Sequence, residues 1–246
     1  APGEEGGGVK EDQPAKPLGM KAYGSIGHLP NSRMGPADHA VAPGQARICT
    51  EKTRDRHDVV IVTEKLDGSC TAVTKLDGQI VALGRAGWPA ATSPYEQHHR
   101  FAEWVEKREI LFMPLLVEGE RLVGEWLAQA HGTKYSLPHE PWTPFDCMAS
   151  HDRMPYQEFR SRFSDHFPLP WELHFGSDAM AVEDAMAKLG DHGFHGAVDR
   201  AEGAVWRVER RGKVDYLAKY VRPGKVDGIY LPEISGGEEV WNWNGE

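Results

Sequence analysis

Two β-prone runs meet at an Asp-Gly pair, and this junction constrains the fold more than any other feature of the sequence. The runs are CTAVTKL, which ends at Leu76, and QIVALGR, which starts at Gln79. A two-residue Asp-Gly connection favours a turn with positive φ, which pairs its flanking strands as an antiparallel hairpin. RRGK at 210–213 separates two further β-prone runs in the same way. The sequence therefore predicts hairpins within antiparallel sheets.

The rest of the chain mixes short strand patterns with fewer helical ones. Strands are predicted at 58–64, 121–127, 144–149, 171–176, 203–209 and 214–221, and helices at 93–112, 154–163 and 178–190. In the first helix Pro94 is expected at the first helical position, and Phe101, Trp104, Val105 and Ile110 are expected near one face. Strands interspersed with helices and joined by tight turns indicate an α+β fold with largely antiparallel sheets.

Composition narrows the function classes. A formal charge of -9 over 246 residues argues against a protein that grips nucleic acid by bulk electrostatics, although a local basic groove is compatible with it. The three cysteines lack metal-ligand spacing and predict free thiols in a reducing compartment, and His98 and His99 are expected on a solvated helix face. No apolar run is long enough to cross a bilayer or to act as a signal peptide, so a cytoplasmic protein is expected.

Domain organisation follows from a shift in composition near residue 20. Residues 1–19 are rich in Gly, Pro and charge, and we expect a disordered tail or an added segment there. Residues 20–246 are expected to form a single domain. About 18 residues follow Gly228, so no C-terminal OB-fold is expected.

The tetrapeptide KLDG occurs twice within sixteen residues, at Lys65–Gly68 and at Lys75–Gly78. Lys75 ends one arm of the Asp77-Gly78 hairpin, and the turn explains its surroundings without any chemistry. Lys65 follows a strand and precedes a loop, where an ammonium group can face a cleft. The pattern is short, so spacing alone does not decide whether Lys65 is a nucleophile.

Motifs further along the chain occur in a distinctive order after the first KLDG. They are Gly84-Arg85, GEW at 124–126, PFDCMA at 144–149, EGAVWR at 202–207 and LAKYVR at 217–222. This series resembles the covalent nucleotidyltransferases, namely ATP-dependent RNA and DNA ligases and mRNA capping enzymes, and it covers roughly residues 20 to 228. The segments YGSIGHLPNSR at 23–33 and GEWLAQAHGTKYSLP at 124–138 are most similar to the RNA ligase branch. The resemblance implies the nucleotidyltransferase (ligase adenylation-domain) fold, with antiparallel sheets and flanking helices around an ATP cleft.

The same resemblance implies a role for each matched residue. Lys65 would attack the α-phosphate of ATP and carry AMP, with Mg²⁺ or Mn²⁺ as the metal, and Lys219 would contact that phosphate. The other implied roles are adenine recognition by Glu64, nucleotide or RNA-end contact by Arg85, ribose binding by Glu125, base stacking by Phe145, metal binding by Glu202, and phosphate or RNA contacts by Arg207, Arg222 and Lys225. Taken singly, Glu125 and Glu202 also fit surface carboxylates, Phe145 fits a core residue, and Arg85 fits a solvated hairpin exit.

The sequence departs from the family pattern at two motifs. Cys70 occupies the position two after the motif glycine, where DNA ligases usually have Arg and RNA ligases often have Asn. The terminal KxK motif has only Lys219, so Arg222 or Lys225 is expected to substitute for the missing lysine. Eight basic and three acidic residues lie between Arg200 and Lys225, and this excess predicts a local phosphate-binding region.

The resemblance implies an ATP-dependent RNA ligase that joins 5′-phosphate and 3′-hydroxyl ends of RNA or of DNA, with a partner protein supplying end-binding surface. Three alternatives stay open at this point. They are a catalytically reduced nucleotide- or RNA-end-binding module, a DNA ligase, and a GTP-using capping-type enzyme.

Overall fold

The computed structural model describes residues 15–245, and this part of the chain contains ten strands and six α-helices. The strands are β1 Gly27–His28, β2 Asp58–Lys65, β3 Ser69–Leu76, β4 Gln79–Gly84, β5 Glu120–Trp126, β6 Trp142–Ala149, β7 Asp152–Arg153, β8 Glu172–Gly176, β9 Gly203–Arg210 and β10 Lys213–Val221. The helices are α1 Pro43–Thr50, α2 Glu96–Glu106, α3 Glu109–Leu115, α4 Tyr156–Phe163, α5 Val182–Leu189 and α6 Pro232–Ser235, with a 3-10 helix at Ala90–Thr92.

The strands form two five-stranded sheets. The first has the order β1-β10-β9-β2-β8 and the second the order β4-β3-β5-β6-β7. Every pairing is antiparallel except β1 with β10, which run parallel. The expected α+β class with largely antiparallel sheets is confirmed.

Both predicted hairpins are present, and their turns have the expected backbone. Asp77 and Gly78 have φ of 49° and 69°, and Arg211 and Gly212 have φ of 51° and 77°. Two successive residues with positive φ are what a type I′ hairpin turn requires. The turn chemistry of these four residues therefore sets the β3–β4 and β9–β10 pairings.

Strand alternation distributes side chains between the two faces of the first sheet. Val60 and Val62 of β2 pack with α1 and α5 residues in one hydrophobic cluster, whereas Ile61 joins a different one. That second cluster is rich in aromatic rings and includes Phe101, Trp104, Phe112, Trp126, Trp142 and Phe167. Because successive strand residues point to opposite faces, Ile61, Thr63 and Lys65 lie on the face of β2 that does not pack on α1 and α5.

The prediction of one long helix at 93–112 is wrong, because two shorter helices occupy this region. The segment forms α2 and α3, separated at residues 107 and 108, and α2 begins two residues after Pro94. Arg108 leaves the helical conformation with φ -118° and ψ 16°, and its guanidinium donates to the Trp104 carbonyl and to Glu140. Because of this break, Ile110 does not lie on the buried face, and it is 91% exposed.

The helix predicted after Ser177 begins later, at Val182, and ends before Gly190 as expected. The backbone of Met180 is used for other contacts. Its N–H donates to the Cys49 carbonyl and its carbonyl accepts from the Trp206 indole, so residues 178–181 remain irregular. The elements β1, β7, α1 and α6 were not predicted.

The disordered tail expected over 1–19 lies outside the described residues up to residue 14. Residues 15–19 depart from that expectation. The Gly19 N–H donates to the Lys16 carbonyl, and Leu18 packs against a hydrophobic cluster that includes Tyr23 and Leu83. Burial of Leu18 orders this stretch.

None of the helices within residues 15–245 combines the length and apolar character needed to span a membrane.

Candidate active site

A cavity of about 940 Å³ is lined by residues of both sheets. From the first sheet it receives side chains on three adjacent strands, β2, β9 and β10. The register places Thr63, Val205 and Lys219 in one row across these strands, and Ile61, Arg207 and Leu217 in another. From the second sheet the cavity receives Cys70, Gly84, Glu125 and Phe145. The topology thus brings together motif residues as far apart in the chain as Lys65 and Lys219.

Lys65 lies at the end of β2 with its ammonium group held by a carboxylate. Its Nζ donates to Glu202 Oε2 at 2.9 Å, and its side chain is 22% exposed. Burial acts to lower the pKa of Lys65, but attraction to Glu202, Glu125 and Asp67 outweighs burial and raises the pKa above its ordinary value. This arrangement therefore stabilises the charged ammonium form of Lys65.

Glu125 on β5 contacts the loop that follows Lys65. Its Oε1 accepts from the Gly68 N–H at 2.8 Å, and burial raises the pKa of Glu125 to about 7. Gly68 itself approaches β5 so closely that a Cβ there would lie 2.3 Å from the Trp126 carbonyl oxygen. Glycine is therefore required at this position of the KLDG motif by contact rather than by backbone conformation.

Lys219, Arg85 and Phe145 all line the cavity. Burial and the charge of Lys65 lower the pKa of Lys219, and no hydrogen bond joins its ammonium group to any residue within 15–245. Arg85 is exposed and donates to the Gly24 carbonyl at 3.1 Å. Phe145 packs edge-on against Tyr23 with ring centroids 5.3 Å apart.

Glu64 is part of the cavity wall, but its side chain is buried. Adjacent strand residues face opposite sides, so its side chain points away from that of Lys65. It is 2% exposed, and its Oε2 accepts from the Phe194 N–H at 2.8 Å. Burial raises the pKa of Glu64 to about 7. The Glu64 carboxyl group is therefore engaged by the Phe194 backbone, and the adenine contact that the resemblance implies for Glu64 stays a prediction.

The expected phosphate contacts at Arg222 and Lys225 are not supported by their positions. Arg222 is buried, and its guanidinium donates to the Gly190 carbonyl at the end of α5 at 2.6 Å. The Lys225 ammonium donates to three oxygen atoms, those of the Gly132 and Arg200 carbonyls and the Thr133 hydroxyl. Neither residue lines the cavity, so neither replaces the missing lysine of the terminal motif.

The basic excess between Arg200 and Lys225 also does not form a phosphate-binding patch. Arg207 lines the cavity, but it is buried and ion-paired with Asp146 at 2.7 Å. Arg210 pairs with Asp55 and Asp58 on the far side of the hairpin. These carboxylates are distant in sequence, which is why counting charges over a local window overestimates the field.

Lys75 lies outside the cavity, and its Nζ donates to the Met113 carbonyl at 2.9 Å. The identical tetrapeptides therefore occupy different environments. This placement agrees with the hairpin interpretation of the second KLDG.

Several cavity residues were missed by sequence reasoning. His98 was expected on a solvated face, but its ring bonds to the hydroxyls of Ser69 at 2.8 Å and Ser93 at 2.6 Å, and all three line the cavity. Asp67 accepts from Thr133, and its N–H donates to the Tyr135 hydroxyl. The contacts of Asp67, the aspartate of the first KLDG, carry no sequence signal of their own, since its partners Thr133 and Tyr135 lie more than 60 positions away.

The donor set beside Lys65 suits a hard divalent cation. Glu202, bonded to Lys65, supplies carboxylate oxygens, the ligands that Mg²⁺ and Mn²⁺ prefer. Within residues 15–245 no three His, Cys, Asp or Glu residues are grouped to hold a metal by themselves. Magnesium is usually bound through one or two carboxylates together with substrate phosphates and water. Glu202 therefore fits as one protein ligand of such a shared site.

Comparisons with known proteins identify the fold and the family model. Residues 58–221 match the model of a family described as RNA ligase. A lysine-to-alanine mutant of Naegleria gruberi RNA ligase, solved with ATP and Mn, aligns with a TM-score of 0.52 at 16% identity, over 79% of this chain and 58% of that chain. The Naegleria gruberi enzyme solved with PPi aligns with a TM-score of 0.50 at 17% identity, over 74% and 53%.

The chain spans about half the length of these solved structures. At such identities the structural likeness shows the shared fold alone. A search of curated protein sequences gives no match.

Proposed function

Because this chain belongs to the RNA ligase family, we propose that it is an ATP-dependent RNA ligase domain that carries AMP covalently on Lys65. The observation that carries the proposal is the placement of Lys65 in the cavity, 2.9 Å from Glu202 and on the same sheet face as Lys219. ATP and manganese are present in a solved structure that shares the fold, which supports the same nucleotide and a divalent metal here. The proposed domain covers residues 20–246.

The proposed reaction has three steps. The Lys65 amine attacks the α-phosphorus of ATP, a P–N bond forms, and pyrophosphate leaves with the electron pair of the broken P–O bond. A 5′-phosphate oxygen of the RNA end then attacks the same phosphorus and releases the lysine. Finally a 3′-hydroxyl attacks the 5′-phosphorus, and AMP leaves.

The other cavity residues have roles that suit their chemistry. Glu125 accepts hydrogen bonds from ribose hydroxyls, and Phe145 offers a ring face to the base. Lys219 binds the α-phosphate, and its unpaired ammonium and lowered pKa leave it available for that contact. Arg85 at the exposed rim contacts the nucleotide or the incoming end.

Protonation of Lys65 is the feature that the bound substrate must change. Three neighbouring carboxylates stabilise its charged form, and a neutral amine is needed for attack. Glu202 would hold a divalent cation together with the substrate phosphates, and such a cation would supply positive charge that offsets these carboxylates and the phosphates. Lys219 adds a fixed positive charge on the same face of the sheet.

We expect this chain by itself to bind RNA ends weakly. The basic residues 207 and 210 are paired with carboxylates, so they add little attraction for a nucleic-acid strand. A partner that supplies further basic surface is therefore part of the proposal. A cytoplasmic site of action is also proposed, and three free cysteines support a reducing compartment.

Incubation with α-labelled ATP and Mg²⁺ tests this proposal. We expect a label that survives denaturation, is released by pyrophosphate, is absent in Lys65→Ala and persists in Lys75→Ala. Lys75→Ala is the matched control because it alters the identical tetrapeptide outside the cavity. Absence of covalent label with any nucleotide would favour the nucleotide-binding module, and labelling from GTP alone would favour the capping-type enzyme. Joining of DNA ends but not RNA ends would favour a DNA ligase.

A further inference from the structure

The first KLDG, which we call the KLDG loop, joins the two sheets. β2 ends at Lys65 in the first sheet, and β3 begins at Ser69 in the second. Only residues 66–68 connect them, so their placement sets how Lys65 is oriented relative to Glu125 across the cavity. The groups that hold these three residues therefore control the geometry of the proposed reaction.

Asp67 is held at both its backbone and its side chain. Its N–H donates to the Tyr135 hydroxyl at 3.0 Å, and its Oδ2 accepts from the Thr133 hydroxyl at 3.0 Å. Gly132 lies so close that a Cβ there would be 2.6 Å from the same carboxylate oxygen. The segment 132–135 thus forms a cradle around Asp67.

Lys225 fixes one side of this cradle. Its ammonium donates to the Thr133 hydroxyl at 2.8 Å and to the Gly132 carbonyl at 3.0 Å. The third bond goes to the Arg200 carbonyl at 2.9 Å, two residues before Glu202. Since Thr133 receives a hydrogen bond from Lys225, its own proton is directed to Asp67.

Asn242 fixes the other side. Its Oδ1 accepts from the Tyr135 N–H and its Nδ2 donates to the Leu127 carbonyl, both at 2.9 Å. Its own N–H donates to the Ala128 carbonyl at 2.7 Å. One side chain therefore joins the cradle to the end of β5, two residues after Glu125.

Lys225 and Asn242 lie beyond the segment that matches the family model, which ends at residue 221. We propose that these two residues are positioning residues for the reaction at Lys65, acting on the KLDG loop through Thr133 and Tyr135. This inference rests on the proposed function for its kinetic consequence. Its structural part, the hold on the loop, is measurable without any nucleotide.

The variants are Asn242→Ala, Lys225→Met, and Tyr135→Phe, which removes only the hydroxyl that binds the Asp67 N–H. Asn244→Ala and Lys213→Ala are the matched controls, because both residues are exposed and their side chains make no hydrogen bond within residues 15–245. Thermal denaturation identifies any variant that has lost its fold. Tyr135→Phe keeps the test decisive if Asn242→Ala or Lys225→Met unfolds.

Two readouts are needed, one of them independent of catalysis. The first is the single-turnover rate of AMP transfer to Lys65 over a range of ATP concentrations. We expect the maximal rate to fall about 10- to 100-fold, since misplacement by about 1 Å costs that order of rate. The ATP concentration at half-saturation should change less than about twofold. The second is hydrogen exchange of the peptide containing Asp67 in the nucleotide-free protein, which should become faster in all three variants.

The outcomes separate the inference from the proposed function. A lower maximal rate with faster exchange supports positioning. A raised half-saturating ATP concentration at unchanged maximal rate overturns it, as does behaviour equal to that of the two controls. If the wild-type protein forms no lysyl-AMP, the proposed function fails, and unchanged exchange in the variants then overturns the hold on the loop as well.

Discussion

Glu64→Gln is expected to stabilise the protein at neutral and alkaline pH. Glu64 is 2% exposed, its Oε1 has no hydrogen-bond partner within residues 15–245, and burial raises its pKa from 4.5 to about 7. Between these two pH values the folded protein keeps a proton on Glu64 that the unfolded chain has lost. The free energy of unfolding therefore falls as the pH rises from about 4.5 to about 7, and it stays lower above that range.

The size of the effect follows from that difference in pKa. At 1.36 kcal/mol per pH unit, ionising Glu64 costs the folded state about 3 kcal/mol at pH 8 and almost nothing at pH 4. Glutamine can still accept from the Phe194 N–H but carries no charge. We expect Glu64→Gln to gain up to about 3 kcal/mol at pH 8, or about 6–12 °C in Tm.

Urea denaturation of wild type and Glu64→Gln from pH 4 to pH 8 measures this difference directly. Subtracting the two curves removes the contributions of other buried acids such as Glu125. Glu106→Gln, at an exposed carboxylate on α2, is the control and should leave the pH dependence unchanged. A difference between wild type and Glu64→Gln that is constant with pH, or a variant less stable at pH 8, refutes the assignment of Glu64 to a buried site.

Three further substitutions test other parts of the structure. Gly68→Ala should lower Tm and abolish labelling, because its Cβ would meet the Trp126 carbonyl at 2.3 Å; a stable, active variant would refute that close approach. Phe101→Ala should cost about 3–5 kcal/mol in denaturation, whereas Ile110→Ala, at a 91% exposed residue, should cost less than about 0.5 kcal/mol. Similar losses in the free energy of unfolding for the two variants would show that Ile110 is buried like Phe101, as a single long helix requires. Lys219→Met should slow AMP transfer about 100-fold or more in a single-turnover assay, and an unchanged rate would remove Lys219 from the site.

Local patterns predicted the strands and their turns well. The hairpin at Asp77-Gly78 needs only the conformational preference of two residues, and that preference is present in the sequence itself. The placement of Lys65, Glu125 and Lys219 around one cavity came from the resemblance to a family, because their proximity depends on pairing between distant strands. Hydrophobic periodicity and turn signals alone do not predict that these three residues lie around one cavity.

The errors share a physical origin in contacts between residues far apart in the chain. Lys225 was predicted to contact phosphate, but its ammonium donates to two carbonyl oxygens and one hydroxyl. Two of these partners, Gly132 and Thr133, lie more than 90 positions away in the chain. Ile110 is exposed because the helix is interrupted at Arg108, whose guanidinium donates to Glu140. The orientation of the Glu64 side chain, by contrast, follows from local strand alternation beside Lys65.

Peptide mapping by mass spectrometry, after incubation of the protein with ATP and Mg²⁺, tests most directly whether Lys65 carries AMP. We expect a single AMP group on the peptide that contains Lys65, and an unmodified peptide around Lys75. Modification at any other residue, or a wholly unmodified protein under conditions where ATP is bound, would contradict it.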